Sequence, residues 1–579
     1  MFKCKQLLRR ICVVSYVFLL CGGLVNASNL VSKTNTLIGT QGNGWASGYL
    51  YPGATYPFGM VQFTPTYFTK QLGFVINQLS GAGCDHMGNF PTLPIAGALR
   101  VSPDSILNMQ TPVGKEIGTA GYYAATVDHS IRAELTVTER TGMARYTFSS
   151  KEKQGTVIIG GGVAATSIQV AAIKITGPHS CEGYAEGGAF CGIPTPYKVY
   201  FVAEFDADAE SFGTWKEERL HANHTFAEGS HSGVYFTFPL KEGNQAVQYK
   251  IGVSYVSVEN ARENLRVENP AWDFSAVRQA TQDKWNEYLG KIEVEGDNED
   301  RQMQFYTHLY RSLIHPNVCS DVNGEYMGAD SQVHKTARKF YTSFSNWDTY
   351  RTQTALIAML APEETSDIVM SHYLFAEQSG GGFPRWVLAN IETGVMQGDP
   401  TPILVANAYA FGARNYDPRT LLRTMRYGAE VPGANSQGVL TRPGLEQYLE
   451  KGYYDASILL EYTSSDFAIG RFALQACNDE PVCNWYTQRA MNWKNLFNKE
   501  TGWLQSRNED GSWKRYDADW RESTYKNYFW MVPYDLQGLI DSIGGKEAAE
   551  KRLDEMFRRL DASYGDEWFA SGNEPSFQI

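Results

Sequence analysis

Glu522 lies in the stretch "DWRESTYKNYFWMVPYDLQGLI", between Trp520 and the rings of Tyr525, Tyr528, Phe529 and Trp530. A carboxyl group set against apolar rings has its neutral form favoured, which is what a general acid needs near neutral pH. The plainer account of Glu522 is an exposed carboxylate at a helix start. A second stretch, "SFSNWDTYRTQ", offers Trp347 as a flat ring and Asp348 and Arg351 as an acceptor and a donor. A pair of neighbouring sugar hydroxyls asks for that combination, although a capping Asp and a surface Arg explain the same residues. In "GGGFPRWVLANIETGVMQGDP", glycines and a proline shape the chain ahead of Trp386. The Lys-Ser/Thr ending of a phosphate loop is missing there, and Asp399 either binds a ligand or caps the helix expected from Pro402. "WASGYLYPGATYPFGMVQFTP", starting at Trp45, is irregular and ring-rich, equally readable as a ligand loop or a strand connection. The last stretch, "SGNEPSFQI", sets Asn573 and Glu574 side by side in a turn.

The remaining sequence says what must position these groups. A chain of 579 residues exceeds what one core usually holds, so at least two domains are expected. From about Ser28 to Asn269, runs such as "YKVYFVAEFDA", "GVYFTFPL" and "YKIGVSYVSV" are β-branched and aromatic, and Gly, Asn and Pro turns break them. No strand–helix alternation is present, which predicts an antiparallel β-sandwich over 28–270. "DFSAVRQATQDKWNEYLGKI" then turns amphipathic, with Asp273 placed to cap it, and 271–300 reads as linking helices. From 301 onward, "RQMQFYTHLYRSLIH", "TQTALIAMLAP", "PILVANAYAFGARNY", "WYTQRAMNWKNLFN" and "KEAAEKRLDEMFRRLD" carry apolar residues at helical spacing. Repeated helices with long loops predict an (α/α) toroid that bears its chemistry on the loops.

Composition narrows the function. A formal charge of −12 argues against nucleic acid and anionic membranes as partners. Aromatic residues make up 13%, with 34 Tyr and 13 Trp, which suits sugar faces as well as ordinary cores. The N-terminus runs basic, then apolar, then small at Val25-Asn26-Ala27, the pattern of a secretory signal over 1–27, and no later stretch is apolar and long enough to span a bilayer. In an exported chain Cys181 with Cys191 and Cys477 with Cys483 are close enough to close short loops, while Cys84 and Cys319 are left open.

Taken in order, "YPGATYPFGMVQFTP", "GFVINQLSGAGC", "SFSNWDTYRTQTALIAMLAPE", "GGFPRWVLANIETGVMQGD", "VPYDLQGLIDSIGG" and "SGNEPSF" resemble glycoside hydrolase family 92, the calcium-dependent exo-α-mannosidases of bacteria. The resemblance covers about residue 35 to the end. It implies a β-sandwich followed by an (α/α)6 toroid, and hydrolysis of a terminal α-mannosyl bond with inversion. Inversion takes an acid and a base roughly 6.5–9.5 Å apart. By motif position Glu522 matches the acid. Trp347, Asp348 and Arg351 match the sugar-holding segment, with Trp45 and Asp399 as further substrate contacts. Asn573 and Glu574 fall in the segment tied to a Ca2+ site.

Two departures lie where the leaving group would sit: Arg521-Glu522-Ser523-Thr524 replaces the usual Glu-Gly-Asn, and Pro533-Tyr534-Asp535 replaces Pro-His-Asp. The resemblance further implies that the base and the last toroid helices lie beyond residue 579, so an incomplete chain is expected. The expected protein is thus an exported α-mannosidase of a bacterial periplasm or cell surface. Its substrate would be the mannose-containing glycans of N-glycans or mannan, with α-1,2 linkage favoured. A mannose-binding remnant without a base, and a different toroid glycosidase, are the alternatives.

Overall fold

The computed structural model describes residues 29–40, 48–66, 73–107, 113–241, 245–559 and 562–579. Trp45 and the expected signal segment 1–27 lie outside the described residues. The N-terminal half is a sandwich of an eight-stranded and a nine-stranded sheet, antiparallel throughout its recorded pairings. The strand-like runs noted above become Ile193–Phe205, Ser232–Pro239 and Ala246–Ser254. Alternate residues of Ser180–Phe190 turn inward, as a strand with one covered face requires. Between the sheets, the ring of Phe205 meets those of Phe236, Phe238 and Tyr249 at 5.0, 4.9 and 5.3 Å.

The helical half begins at Val258–Glu268, directly after the last strand of the sandwich. Phe274–Leu289 follows, and Asp273 caps it as its position predicts, accepting from the Ala276 N–H at 2.9 Å. The second half is helical: Glu299–Ser312, Gln353–Leu360, Pro362–Ser379, Thr401–Ala410, Pro418–Glu430, Ala456–Cys477, Glu480–Ala490 and Lys546–Met556. This is the sandwich-then-helices architecture expected. Among the described residues no helix is long and apolar enough to cross a membrane.

The expected disulfides are not the ones formed. Cys84 bonds Cys191 across 107 residues of sequence, with Cα atoms 5.2 Å apart, while Cys181, Cys319, Cys477 and Cys483 are buried free thiols. The reason is local geometry. Cys181 and Cys191 sit at opposite ends of one extended strand, about 30 Å apart at 3.3 Å per residue, and Cys181 faces the sandwich core. Cys483 lies along its own helix, its sulfur 3.9 Å from Thr487 Oγ1.

Candidate active site

The two halves meet at a cavity of about 470 Å³. The sandwich contributes Tyr49, the loop Leu79–Cys84, Phe190 and Cys191; the helical half contributes His315, Ser345, Asp348, Trp386, Glu522, Asn573 and Glu574. Asp348 is positioned by a short helical turn, Asn346–Thr349. Asn346 pins that turn, its amide donating to the Pro384 carbonyl at 3.1 Å and to Thr401 Oγ1 at 2.9 Å. Ser345 and Trp386 are cross-strand partners. Both reach Asp348 Oδ2, Ser345 through its hydroxyl and Trp386 through its indole N–H at 3.3 Å. Burial lifts the Asp348 carboxyl to about 6, against the pull of Ser345, Arg351 and Trp386.

Glu522 stands in a bend ahead of the Tyr525–Tyr528 turn, with its backbone at φ 49°. A left-handed backbone is uncommon for a side chain of this kind and clusters at functional sites. Asn573 fixes the bend, its amide donating to the Glu522 carbonyl at 2.6 Å. Burial raises the Glu522 carboxyl above its ordinary range, and Asn573 only partly offsets that. Glu574, next along, is lifted to about 8 by burial and then by the Asp348 charge. Three carboxyl groups therefore share one wall, each tilted toward its neutral form.

Arg351 lies behind that wall. Its side chain and that of Glu461 are both 0% exposed and pair at 3.1 Å. Its Nε donates to the Trp347 carbonyl at 3.1 Å, and its Nη1 makes no hydrogen bond within the protein. Trp347 is completely buried, 4.6 Å beneath the Arg351 guanidinium, so the indole on the cavity wall is Trp386 instead. Asp399 also stands apart. It is 3% exposed and pairs with Arg442 at 2.8 Å in an interior ion network, outside the lining of the large cavity and not capping the Thr401–Ala410 helix. Trp45, the remaining expected contact, lies outside the described residues.

The structure thus brings Asp348, Glu522, Asn573 and Glu574 together, with Arg351 behind them. Sequence reading passed over Glu461 and Phe190, and took in the Leu79–Cys84 loop only as part of the family resemblance. Glu461 is hidden in an apolar helix, and Phe190 is one ring among many in a strand. The Gly-Ala-Gly-Cys run at 81–84 was the one visible signal, a shaped loop ending in a cysteine. As to calcium, Asn573 and Glu574 carry oxygen ligands, the type a hard cation takes. A cation beside Glu574 would also relieve the charge crowding that lifts its carboxyl. Among the described residues no three of His, Cys, Asp or Glu converge at metal-ligand spacing.

Comparison with known proteins follows the same division of the chain. The glycosyl hydrolase family 92 N-terminal domain matches residues 34–254 and the family 92 catalytic domain residues 260–579. An uncharacterized secreted glycosidase of Arthroderma benhamiae is 25% identical, over 95% of this chain and 76% of its own length. The family GH92 α-mannosidase BT3965 of Bacteroides thetaiotaomicron superposes with a TM-score of 0.85 at 26% identity, over 95% of this chain and 77% of that one. That enzyme is also known in complex with mannoimidazole. The family GH92 inverting mannosidase BT2199 of the same bacterium gives 0.82 at 26% identity, over 92% of this chain and 75% of that one.

Proposed function

The chain belongs to glycoside hydrolase family 92, and from that premise we propose that it is an exported exo-α-mannosidase. In this reading it removes terminal α-linked mannose from N-glycans or mannan, with inversion, α-1,2 as the favoured linkage, and calcium required. The observation that carries the reading is Glu522, a half-buried carboxyl raised by burial on the wall of a cavity of about 470 Å³. The α-mannosidase relatives support it.

Glu522 in its neutral form donates its proton to the glycosidic oxygen as the bond to the anomeric carbon breaks, and water attacks from the opposite face. Asp348 Oδ2 already accepts from Ser345 and Trp386, so its remaining acceptor capacity is what a mannose hydroxyl would meet. The free Nη1 of Arg351 is a donor behind it. Glu574 keeps its proton while no cation is bound, and as a calcium ligand its carboxylate would be committed to the ion, so in neither state is it free to deprotonate water. The acid is therefore assigned and the base is not. A calcium ion, held by Asn573 and Glu574 when bound, would draw two sugar hydroxyls together and favour a flattened ring.

The test is mannose release from α-1,2- and α-1,3-mannobiose by the full chain, with NMR reading the anomer formed first. Release of β-mannose, abolished by EDTA and by Glu522→Gln, is the expected result. Mannose bound without turnover would make the protein a mannose-binding relative of the enzymes. Release of another sugar would make it a different glycosidase.

A further inference from the structure

The sandwich reaches the cavity through its longest strand pair, Ser180–Phe190 and Ile193–Phe205, of 11 and 13 residues. At the tip, Cys191 takes a left-handed turn at φ 50° and bonds Cys84. The loop carrying Cys84 is itself fixed from both halves of the molecule. The Leu79 N–H donates to His86 Nε2 at 2.8 Å, and the Ser80 N–H donates to His315 Nε2 at 3.0 Å. Burial keeps both imidazoles neutral, with pKa lowered to about 4, so each has a ring nitrogen free to accept. Phe190, next to Cys191, is enclosed by rings: it stacks on Trp386 at 4.3 Å and 28°, and meets the edge of His86 at 6.2 Å. The Trp386 indole is the one that donates to Asp348.

We infer that the Cys84–Cys191 bond makes the hairpin tip a positioning element for the reaction, holding Phe190 against Trp386 so that the indole N–H stays aimed at Asp348. The reading rests on the glycosidase function proposed above. Without its stacking partner the indole regains freedom to turn, and a bond already 3.3 Å long is lost by a small rotation. Losing a donor to the charged carboxylate disfavours that form, so Asp348 would then ionise at higher pH. Arg351, Glu522 and Glu574 are the charged or titratable groups facing it, and none of them changes in the variants below.

The experiment compares the full-length chain with Phe190→Ala, Phe190→Tyr and the double variant Cys84→Ser/Cys191→Ser. It measures kcat/KM across pH and mannose affinity by calorimetry. Phe190→Ala and the double serine variant should each lose roughly tenfold in kcat/KM. Their acid limb should move to higher pH, while Phe190→Tyr keeps the parent profile. Loss of activity with an unmoved pH profile would reduce the tip to a structural role and overturn the inference. So would variants identical to the parent. A parent that hydrolyses nothing would instead defeat the functional reading, and the inference would then stand or fall on whether Phe190→Ala weakens mannose binding while Phe190→Tyr does not.

Discussion

The helical half holds two groups of acids that differ in company as well as in exposure. In the interior, Asp466 lies between Arg442 Nη1 at 2.7 Å and Arg489 Nε at 2.7 Å, with the Tyr448 hydroxyl donating to it at 2.6 Å. Burial alone would raise the Asp466 carboxyl, but the two arginines outweigh it and hold it below its ordinary value. At the cavity, Asp348, Glu522 and Glu574 are partly buried, and all three rise. Arg351, the cation beside Asp348 and Glu574, is shared with Glu461, and Arg521 only partly offsets the burial of Glu522. The first group is a neutralised strut. The second lacks that counter-charge where a substrate can reach it, so its carboxyls tend to keep their protons, as a catalytic acid must.

The largest expected effect tests the cavity side of this contrast. Glu522→Gln should lower kcat by roughly 10²–10⁴-fold, the range for removing a general acid, with the melting temperature unchanged. The strut should behave in the opposite way. Asp466→Asn leaves Arg442 and Arg489 without their counter-charge, and breaking a buried pair costs about 3–5 kcal/mol. Urea unfolding should show that loss, while the fraction that remains folded keeps its kcat. A kcat defect in folded Asp466→Asn would break the comparison.

Next in size is the pH dependence of stability. Glu574 is lifted from 4.5 to about 8 in the folded chain, so the native state keeps a proton that the unfolded chain releases. Its contribution to stability is complete below the ordinary carboxyl range and fades as pH rises toward about 8. The slope reaches at most roughly 1.4 kcal/mol per pH unit. Glu574→Gln should flatten that decline, measured by urea unfolding with chelator present from acid to mildly alkaline pH. The smallest effect expected is from calcium on the chelated protein: a rise in melting temperature at alkaline pH that shrinks toward acid pH and is absent in Glu574→Gln.

Much of the frame was legible in the sequence because its signals are local. Alternation marked the strands Ile193–Phe205 and Ala246–Ser254, and Asp273 announced the start of its helix. Glu522, Asp348, Asn573 and Glu574 were visible as polar groups in ring-rich or turn-prone loops. The helix Ala456–Cys477 went unseen because 15 of its 22 residues are buried, which erases the one-sided pattern that betrays a helix. With it went Glu461, and therefore the partner of Arg351. The roles of Trp347 and Asp399 turned on which way a side chain points, and residue type does not carry that. The Cys84–Cys191 pairing needed the sandwich to fold first, since nothing near either cysteine encodes a partner 107 residues away.

One consequence of the hairpin tip concerns inheritance. Its turn, from Cys191 to Pro194, is exposed, and it lies on the cavity's edge although its gene segment is far from the one encoding Glu522 and Glu574. A codon gained or lost in that turn would reshape the mouth of the cavity and also reach Asp348 through Phe190 and Trp386, while the bend at Glu522 is held from elsewhere in the chain by Asn573. Along this gene, a change of substrate range made at the tip carries a change in the bond-breaking chemistry with it.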